Sequence, residues 1–212
     1  MFSTPERVLI LAPHTDDGEL GAGGTIARLI EEGATVHYAA FSIAEESVPE
    51  SFARDVLADE VVEASAALGV DRANVSTFRY PVRRFPAHRQ EILEDMVKLR
   101  QAIDPQLVLA PASTDLHQDH QVISAEAMRG FKNRRVLGYE LIWNNVSFHG
   151  QLSVKLEARH VARKVAALAC YRSQGARPYL APAFTEAHAR TRGVQCGVEF
   201  AECFEVMRWV AD

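Results

Sequence analysis

The stretch that decides the fold is residues 8–21, VLILAPHTDDGELG, in which a run of apolar residues leads directly into a histidine and two adjacent carboxylates. Short apolar runs bounded by turn-forming residues are typical of buried strands. His14, Asp16 and Asp17 therefore follow the end of a predicted strand. Both residue types are metal ligands in proteins, so this strand end is a candidate metal site.

A second cluster of the same character lies further along the chain. Residues 107–110, LVLA, are again typical of a buried strand, and Asp115, His117, Asp119 and His120 follow them. In an open α/β sheet, ligands bind at the carboxyl ends of the strands where the strand order reverses. We therefore expect the two clusters to meet at one point, as in a mononuclear metal hydrolase.

Short β-rich runs alternate with helical periodicity over most of the chain. The patterns predict strands at residues 7–12, 35–41, 75–80, 107–110 and 136–143, helices at 21–32, 51–68, 87–103, 119–131 and 153–171, and one or two late strands within 198–210. This alternation indicates βαβ units. The predicted fold class is α/β: one domain over residues 1–212 with a Rossmann-like, doubly wound, mostly parallel sheet and late C-terminal strands. Strands one and four are then neighbours, and their helices leave on opposite faces.

The net charge and composition of the chain limit the kinds of molecule that it is expected to bind. The formal net charge of −5 gives no global footprint for nucleic acid, so no nucleic-acid partner is expected. The first apolar run is too short to span a membrane, and the N-terminus is unlike a signal peptide. An odd number of cysteines (Cys170, Cys196 and Cys203) indicates free thiols and a cytoplasmic location. A homo-oligomer is compatible with this sequence.

The two clusters together supply a hydrolytic zinc site. Catalytic zinc takes three protein ligands and leaves a position for water. His14, Asp17 and His120 form such a set, for zinc or another divalent transition metal. Asp16 then lies beside the metal as a free carboxylate, which suits a general base. A metal and a neighbouring base together indicate hydrolysis.

The remaining residues of the second cluster complete the predicted chemistry. His117 is the candidate for polarising a substrate carbonyl and protonating a leaving amine. Asp119 is assigned a catalytic role through His117, because a hydrogen bond between them would fix the tautomer of the ring and favour its imidazolium form.

Each motif also has an ordinary structural interpretation. An Asp-Asp pair in a loop is usually a solvated turn or helix cap, and two histidines three residues apart are often a surface pair on a helix. The glycines of residues 21–24 lack the spacing of a dinucleotide-binding loop and suit close packing of a helix on the sheet. The functional interpretation depends on the conjunction of the two clusters.

These residues resemble a known family, the PIG-L-type (LmbE-like) zinc-dependent N-acetylglucosamine deacetylases. The resemblance rests on His14-Thr15-Asp16-Asp17 with Glu19, Gly21, Gly23 and Gly24; on His117-x-Asp119-His120; on Glu60 with Leu68-Gly69; on Arg172-Ser173-Gln174; and on Arg192-Gly193, Gly197 and Ala201-Glu202-Cys203-Phe204. It implies His14, Asp17 and His120 as zinc ligands, Asp16 as the general base and His117 as the oxyanion-stabilising or acid histidine.

The chain departs from the family pattern at three places. Thr15 stands where proline is commonest, and Gly18 stands where many members have glutamate, which here follows as Glu19. Some members have a substrate-contacting arginine near the start of the second helix. That contact is either missing here or comes from Arg54, which leaves the mode of sugar binding open.

Three residues are candidates for substrate binding. Besides Arg54, Arg84 precedes the 87–103 helix near the expected crevice, where it can bind a phosphate or a sugar hydroxyl. Trp143 follows the fifth strand and can stack on a sugar ring. A surface position for Arg84 and a buried core position for Trp143 are the alternatives.

The sequence thus predicts a zinc-dependent hydrolase that removes the acetyl group from an N-acetylated amino sugar or a small-molecule conjugate of one. One alternative is a metal-dependent amidase or esterase with a non-sugar substrate. Another is a non-catalytic sugar- or nucleotide-binding module. The presence of Asp16 argues against the binding module, because a pure metal-binding site needs no free base beside its ligands.

Overall fold

The computed structural model describes residues 4–210, and the strands of this part of the chain form one seven-stranded sheet with the order β3-β2-β1-β4-β5-β7-β6. The strands are β1 Arg7–His14, β2 Thr35–Ser42, β3 Val75–Thr77, β4 Leu107–Pro111, β5 Arg135–Tyr139, β6 Leu152–Leu156 and β7 Phe200–Arg208. The first five strands pair in parallel, and β7 pairs antiparallel with both β5 and β6. This confirms the predicted α/β class, including the late strand.

Helices cover both faces of the sheet. They are α1 Asp17–Glu31, α2 Val56–Leu68, α3 Arg89–Ile103, α4 Gln118–Gly130, α5 Ala158–Leu168 and α6 Pro182–Gln195. One apolar core lies between the sheet and α1, α2 and α5, and a second lies between the sheet and α3 and α4. The two cores use alternate residues of β1, since Ile10 belongs to one and Leu9 to the other.

The order of the strands reverses between β1 and β4. The two strands pair directly, with Leu9 opposite Val108. Helix α1, which follows β1, packs on one face, and α4, which follows β4, packs on the other. The loops at the carboxyl ends of these two strands therefore open toward each other, as the sequence predicts.

The prediction of one helix over residues 153–171 is wrong. Residues 152–156 form the edge strand β6, and α5 begins only at Ala158. The alternation of Leu152, Val154 and Leu156 with polar residues has a period of two, which suits a half-buried strand better than a helix. Helix α6 was not predicted, although Pro182 occupies its first turn and the left-handed Gly197 lies just beyond its end.

Other predicted boundaries shift by a few residues. The 51–68 helix begins only at Val56, the 75–80 strand ends at Thr77, and the 136–143 strand ends at Tyr139. The first helix begins at Asp17 instead of residue 21. The glycines of residues 21–24 therefore lie inside α1, where they permit close packing against neighbouring side chains.

Gly21 offers a test of this close packing. A Cβ atom at Gly21 would lie 2.3 Å from the ring of the fully buried Tyr139. Gly21→Ala is therefore expected to lower the free energy of unfolding by roughly 1–3 kcal/mol, as overpacked cores do. Gly130→Ala is the control, because its nearest neighbours would be 3.6 Å away. Equal stability of the two variants in denaturant unfolding would contradict this account of α1.

The described residues contain no helix that is both long and apolar enough to cross a membrane. The three cysteines are free thiols. Of these, Cys203 is buried, Cys170 is half-buried and Cys196 is exposed.

Candidate metal centre

Three side-chain atoms from the two clusters converge at the sheet edge. His14 Nδ1 lies 3.2 Å from Asp17 Oδ2, His120 Nε2 lies 3.3 Å from the same oxygen, and the two ring nitrogens are 3.3 Å apart. The backbone N–H of His14 donates to Asp17 Oδ2 at 2.8 Å, which holds the carboxylate across the turn. The three predicted metal ligands thus form a nearly equilateral triangle.

The size of this triangle fits zinc. Tetrahedral zinc with bonds of about 2.0–2.1 Å to nitrogen and oxygen places its ligand atoms roughly 3.4 Å apart. The three measured edges are 3.2, 3.3 and 3.3 Å. Two nitrogens and one carboxylate oxygen are also a donor set that catalytic zinc uses. The residues present therefore fit a bound zinc ion.

A buried carboxylate lies behind each histidine of the triangle. Asp119 Oδ2 is 3.0 Å from His14 Nε2, and Asp115 Oδ2 is 2.8 Å from His120 Nδ1. Each ring then donates its outer N–H to the carboxylate and turns its unprotonated nitrogen toward the centre of the triangle. Such outer carboxylates orient metal-binding imidazoles and raise their basicity.

The predicted pairing of the Asp119 carboxylate with His117 is wrong. The carboxylate contacts His14, while only the backbone N–H of Asp119 reaches His117, donating to Nδ1 at 3.1 Å. The sequence places Asp119 two residues from His117 on the same turn, but its side chain is directed by hydrogen bonds with His14 and the backbone of Arg83 and Phe85. Asp119 thus positions the ring of His14.

His117 also belongs to a group of three histidines, with His14 and His120, that could hold a metal ion. However, His117 Nδ1 accepts the N–H of Asp119, so a neutral ring carries its proton on Nε2. A protonated nitrogen is a hydrogen-bond donor and not a metal ligand. The hydrogen bonding therefore favours Asp17 as the third ligand and leaves His117 to face a substrate.

The electrostatic environment favours positive charge at the triangle. Burial lowers the pKa of His120, but the charges of Asp17 and Asp115 outweigh it and raise that pKa to about 10. Burial likewise opposes ionisation of Asp17, yet His120 and His14 hold its pKa well below the ordinary value. The field that retains a proton on the histidines also attracts a divalent cation.

Asp16 has a different environment from its neighbour Asp17. It is buried at the N-terminus of α1, yet its side chain makes no capping hydrogen bond. Burial and the charge of Asp17 raise the pKa of Asp16, and the positive charges of Arg177 and His14 partly offset this effect. The carboxylate lines the cavity without belonging to the triangle, which is the position that a general base requires.

The burial of His117 makes its imidazolium form less stable. Desolvation, followed by the charges of His120 and His14, lowers the pKa of His117, and the more distant Asp119 only partly compensates. The charge of Asp119 thus favours the imidazolium form, as expected, but burial and the two neighbouring histidines outweigh it. The ring can act instead as a neutral donor through Nε2–H.

A cavity of about 170 Å³ opens above the triangle. Its lining residues are His14, Thr15, Asp16, Asp17, Leu20, Ala44, Ser47, Leu57, Val82, Arg83, His117, His120, Trp143, Asn144, Gln174, Arg177 and Tyr179. Of the three substrate-binding candidates, Trp143 lines this cavity, with its ring stacked on Tyr179 at a centroid distance of 4.1 Å. Trp143 is 38% exposed, which corrects the alternative of a buried core position.

Arg84 and Arg54 lie outside the lining of the cavity. Both are exposed, and Arg54 instead donates to the backbone carbonyl of Glu45 at 3.3 Å. The residue before Arg84 takes its place: Arg83 lines the cavity in a left-handed conformation with φ of 65°. No pattern in the sequence distinguishes Arg83 from Arg84, because the left-handed φ of Arg83 is a property of the folded backbone.

Sequence reasoning also missed Arg177 and Tyr179, which line the cavity from the segment after α5. This segment is held against α2, because Glu60 accepts hydrogen bonds from the backbone and hydroxyl of Ser173 at 2.9 and 2.6 Å. The motif around Ser173 was noted in the sequence. That motif was the feature of the sequence that could have drawn attention to Arg177 and Tyr179, which follow it within a few residues.

The turn between β1 and α1 is fixed by two buried tyrosines. The hydroxyl groups of Tyr38 and Tyr171 lie 2.8 and 2.6 Å from the carbonyl oxygen of Thr15 and also contact Glu19. Burial raises the pKa of Glu19 to about 8, although the tyrosine hydrogen bonds oppose the shift. These contacts hold the backbone that presents Asp16.

The outer carboxylates give a testable prediction about metal affinity. Asp119→Asn and Asp115→Asn are each expected to weaken zinc binding by roughly 10–100-fold, because the histidine loses its charged hydrogen-bond partner. Competition with a chromogenic chelator measures the affinity. Asp59→Asn, at an exposed position of α2, is the matched control. Wild-type affinity in Asp119→Asn would mean that this carboxylate serves only to hold the neighbouring loop.

Comparison with protein families gives one informative match. The family model described as PIG-L, GlcNAc-PI de-N-acetylase, matches residues 9–130. This range contains the whole triangle, its two outer carboxylates, Asp16 and His117. The match therefore covers both clusters that build the site.

Individual proteins resemble a larger part of the chain. The uncharacterized deacetylase YaiS of Escherichia coli (strain K12) is 26% identical over 174 residues, which are 78% of this chain and 90% of that protein. The conserved protein TT1542 of Thermus thermophilus has a similar structure, with a TM-score of 0.79, 29% identity, and coverage of 97% of this chain and 96% of the other.

A third resemblance is to a solved structure of lower identity. The N,N'-diacetylchitobiose deacetylase of Pyrococcus horikoshii has a TM-score of 0.79 at 22% identity, covering 96% of this chain and 84% of the other. At this identity the resemblance shows the shared fold.

Proposed function

The chain belongs to the PIG-L (GlcNAc-PI de-N-acetylase) family, and from that premise we propose that it is a zinc-dependent hydrolase that removes the acetyl group from an N-acetylated amino sugar of the N-acetylglucosamine type or a small-molecule conjugate of one. The observation that carries this proposal is the zinc-sized triangle of His14, Asp17 and His120 with the separate carboxylate of Asp16 beside it. The name of the Escherichia coli relative, a deacetylase, supports the reaction.

His14, Asp17 and His120 would hold the metal, with Asp119 and Asp115 fixing the two rings. Zinc at this position supplies a Lewis acid for the acetamide carbonyl and lowers the pKa of a water molecule. Zinc is preferred to a harder cation because two of the three donors are imidazole nitrogens.

Asp16 is the general base of the proposed reaction. Its carboxylate removes a proton from the water molecule that attacks the acetamide carbonyl. Burial raises the pKa of Asp16, which makes its carboxylate a better proton acceptor. A bound cation would lower the same pKa. Asp16 would accept the proton in its ionised form, which the charge of a bound cation favours.

His117 stabilises the charge that develops on the acetamide oxygen. Its Nδ1 is occupied by the N–H of Asp119, so Nε2–H is available to donate into the cavity. The proton that Asp16 has taken can then pass to the nitrogen of the leaving amine, and the products are acetate and the free amino sugar. Delivery of this proton by Asp16 is preferred because burial lowers the pKa of His117.

The stacked rings of Trp143 and Tyr179 form the proposed sugar platform at the side of the cavity. The apolar face of a sugar ring packs favourably on an aromatic surface of this kind. These rings and the triangle line the same cavity, so a sugar packed on the rings would lie beside the proposed metal position. We place the enzyme in the cytoplasm, with a soluble amino-sugar conjugate as its substrate.

A substrate panel tests the proposal. The zinc-loaded protein is incubated with N-acetyl sugars, simple non-sugar acetamides and acetate esters, and acetate and free amine are quantified together. The proposal expects equal amounts of both products from the sugars only. Preference for non-sugar amides or esters would indicate the alternative hydrolase, and binding without turnover would indicate a sugar- or nucleotide-binding module.

A further inference from the structure

Two arginines line the cavity beside the triangle, and the proposed reaction assigns a step to neither, although the charge of Arg177 lowers the pKa of Asp16. Arg83 comes from the loop between β3 and α3, and Arg177 from the segment after α5. Removal of an acetyl group from a neutral sugar requires no guanidinium group. Their presence in the cavity therefore calls for a ligand with negative charge.

The conformation of Arg83 is strained and held in place. Its φ of 65° lies in the left-handed region, which costs energy for a residue with a side chain. The fully buried Asp119 accepts hydrogen bonds from the backbone N–H groups of Arg83 and Phe85 at 2.5 and 3.2 Å. The carboxylate that orients His14 thus also directs Arg83 into the cavity, while Arg84 stays outside.

Arg177 has no carboxylate partner within 4 Å among residues 4–210. It donates from Nη1 to the hydroxyl of Tyr179 at 2.6 Å, which leaves the rest of its planar fork of donors free. Arg192, another partly buried arginine, is by contrast paired with the buried Glu140. A half-buried guanidinium without such a pair is a suitable anion ligand.

The ion pair between Arg83 and Glu46 is weak compared with the pair between Arg192 and Glu140. Arg83 Nη2 lies 3.7 Å from Glu46, and both side chains are more than half exposed. Exposed pairs of this length contribute little because water screens them. An anionic substrate group in the cavity can displace Glu46 at small cost.

The acidic side chains that line the cavity leave both arginines available. Among residues 4–210, neither Asp16 nor Asp17 lies within 4 Å of the guanidinium nitrogens of Arg83 or Arg177, and Asp17 contacts the two histidines of the triangle instead. An acidic group of a substrate would therefore not have to displace either of these carboxylates from an arginine.

We propose that Arg83 and Arg177 bind an acidic group of the substrate, so that the enzyme acts on N-acetyl amino sugars that carry a phosphate monoester or a carboxylate. This inference rests on the deacetylase function proposed above. The planar guanidinium fork matches two oxygens of either group. The subsite selects the conjugate, and the metal centre performs the hydrolysis.

Matched substrates test this selection. Acetate release is compared for N-acetylglucosamine, N,N'-diacetylchitobiose, N-acetylglucosamine 1-phosphate, N-acetylglucosamine 6-phosphate and N-acetylmuramic acid. The best acidic sugar is expected to exceed the neutral sugars by about 10- to 100-fold in kcat/KM, as a charged hydrogen-bond pair allows. Comparison of the two phosphorylated sugars with N-acetylmuramic acid, which carries a carboxylate, identifies which acidic group the enzyme recognises. Equal kcat/KM for acidic and neutral sugars would overturn the inference.

Variants connect the preference to the two arginines. Arg177→Gln and Arg83→Asn are each expected to reduce the acidic-to-neutral ratio of kcat/KM by about 10-fold or more. Asparagine tolerates the left-handed conformation of Arg83. The ratio cancels any effect of Arg177 on Asp16, because both substrates use the same base. Arg84→Asn is the matched control and should keep the wild-type ratio. If the preference for acidic sugars survives in both variants, other residues must be responsible for it.

Equilibrium binding separates failure of the subsite from failure of the proposed function. Calorimetry compares glucosamine 6-phosphate with glucosamine on the zinc-loaded protein at low and high salt. The phosphate is expected to bind more tightly, with an advantage that falls at high salt and in Arg177→Gln. Absence of turnover for every sugar would reject the deacetylase function alone. Equal binding of the two amino sugars would reject the subsite whatever the turnover.

Discussion

Asp16→Asn is expected to lower kcat by roughly 10²–10⁴-fold, the usual contribution of a general base, while zinc content and fold stay as in the wild type. The amide cannot accept the proton that Asp16 removes from water. Asp16 lies outside the triangle and makes no capping hydrogen bond, so its replacement removes no metal ligand and no helix contact. Steady-state acetate release, elemental analysis and thermal unfolding measure the three quantities.

Asp17→Asn is expected to have the opposite profile. Its Oδ2 is the one carboxylate corner of the triangle and lies 3.2 and 3.3 Å from the ring nitrogens of His14 and His120. Loss of its charge should weaken zinc binding by more than the roughly 10–100-fold expected for an outer carboxylate. Zinc content after gel filtration should then fall well below one per chain, and activity should fall with it.

The two variants form a matched pair, since adjacent aspartates receive the same substitution. If Asp16→Asn loses zinc while Asp17→Asn keeps it, the roles of the two carboxylates are reversed. Addition of excess zinc provides a further control. It should restore activity to Asp17→Asn in part and leave Asp16→Asn inactive.

The meeting of His14, Asp17 and His120 could be predicted because their clusters lie at the carboxyl ends of two buried strands. His14 ends β1, His120 lies in the first turn of α4 after β4, and the strand order makes β1 and β4 neighbours. The pattern of apolar runs therefore fixes where the two clusters meet. Local sequence and topology suffice for this part of the site.

The direction of individual side chains could not be predicted in the same way. Asp119 turns toward His14 and Asp115 toward His120, because tertiary packing sets the direction of each carboxylate. Arg177 reaches the cavity only because Glu60 holds the segment around Ser173. Such contacts join residues far apart in the chain and leave no periodic signal in the sequence.

The secondary-structure errors have a similar origin. The strand β6, Leu152–Leu156, is stabilised by pairing with β7, and its residues then lead into α5 after a single residue. A continuous helical interpretation of residues 153–171 overlooks this pairing. None of residues 152–156 lines the cavity, so the site prediction did not depend on this strand.

A zinc titration of metal-depleted protein tests the central claim most directly. The protein is stripped with a chelator, zinc is added in known amounts, and acetate release from an N-acetyl amino sugar is measured at each step. The account predicts no activity without metal, a linear rise, and saturation at one zinc per chain. Full activity of the stripped protein, or zinc bound at one equivalent through residues other than His14, Asp17 and His120, would contradict it.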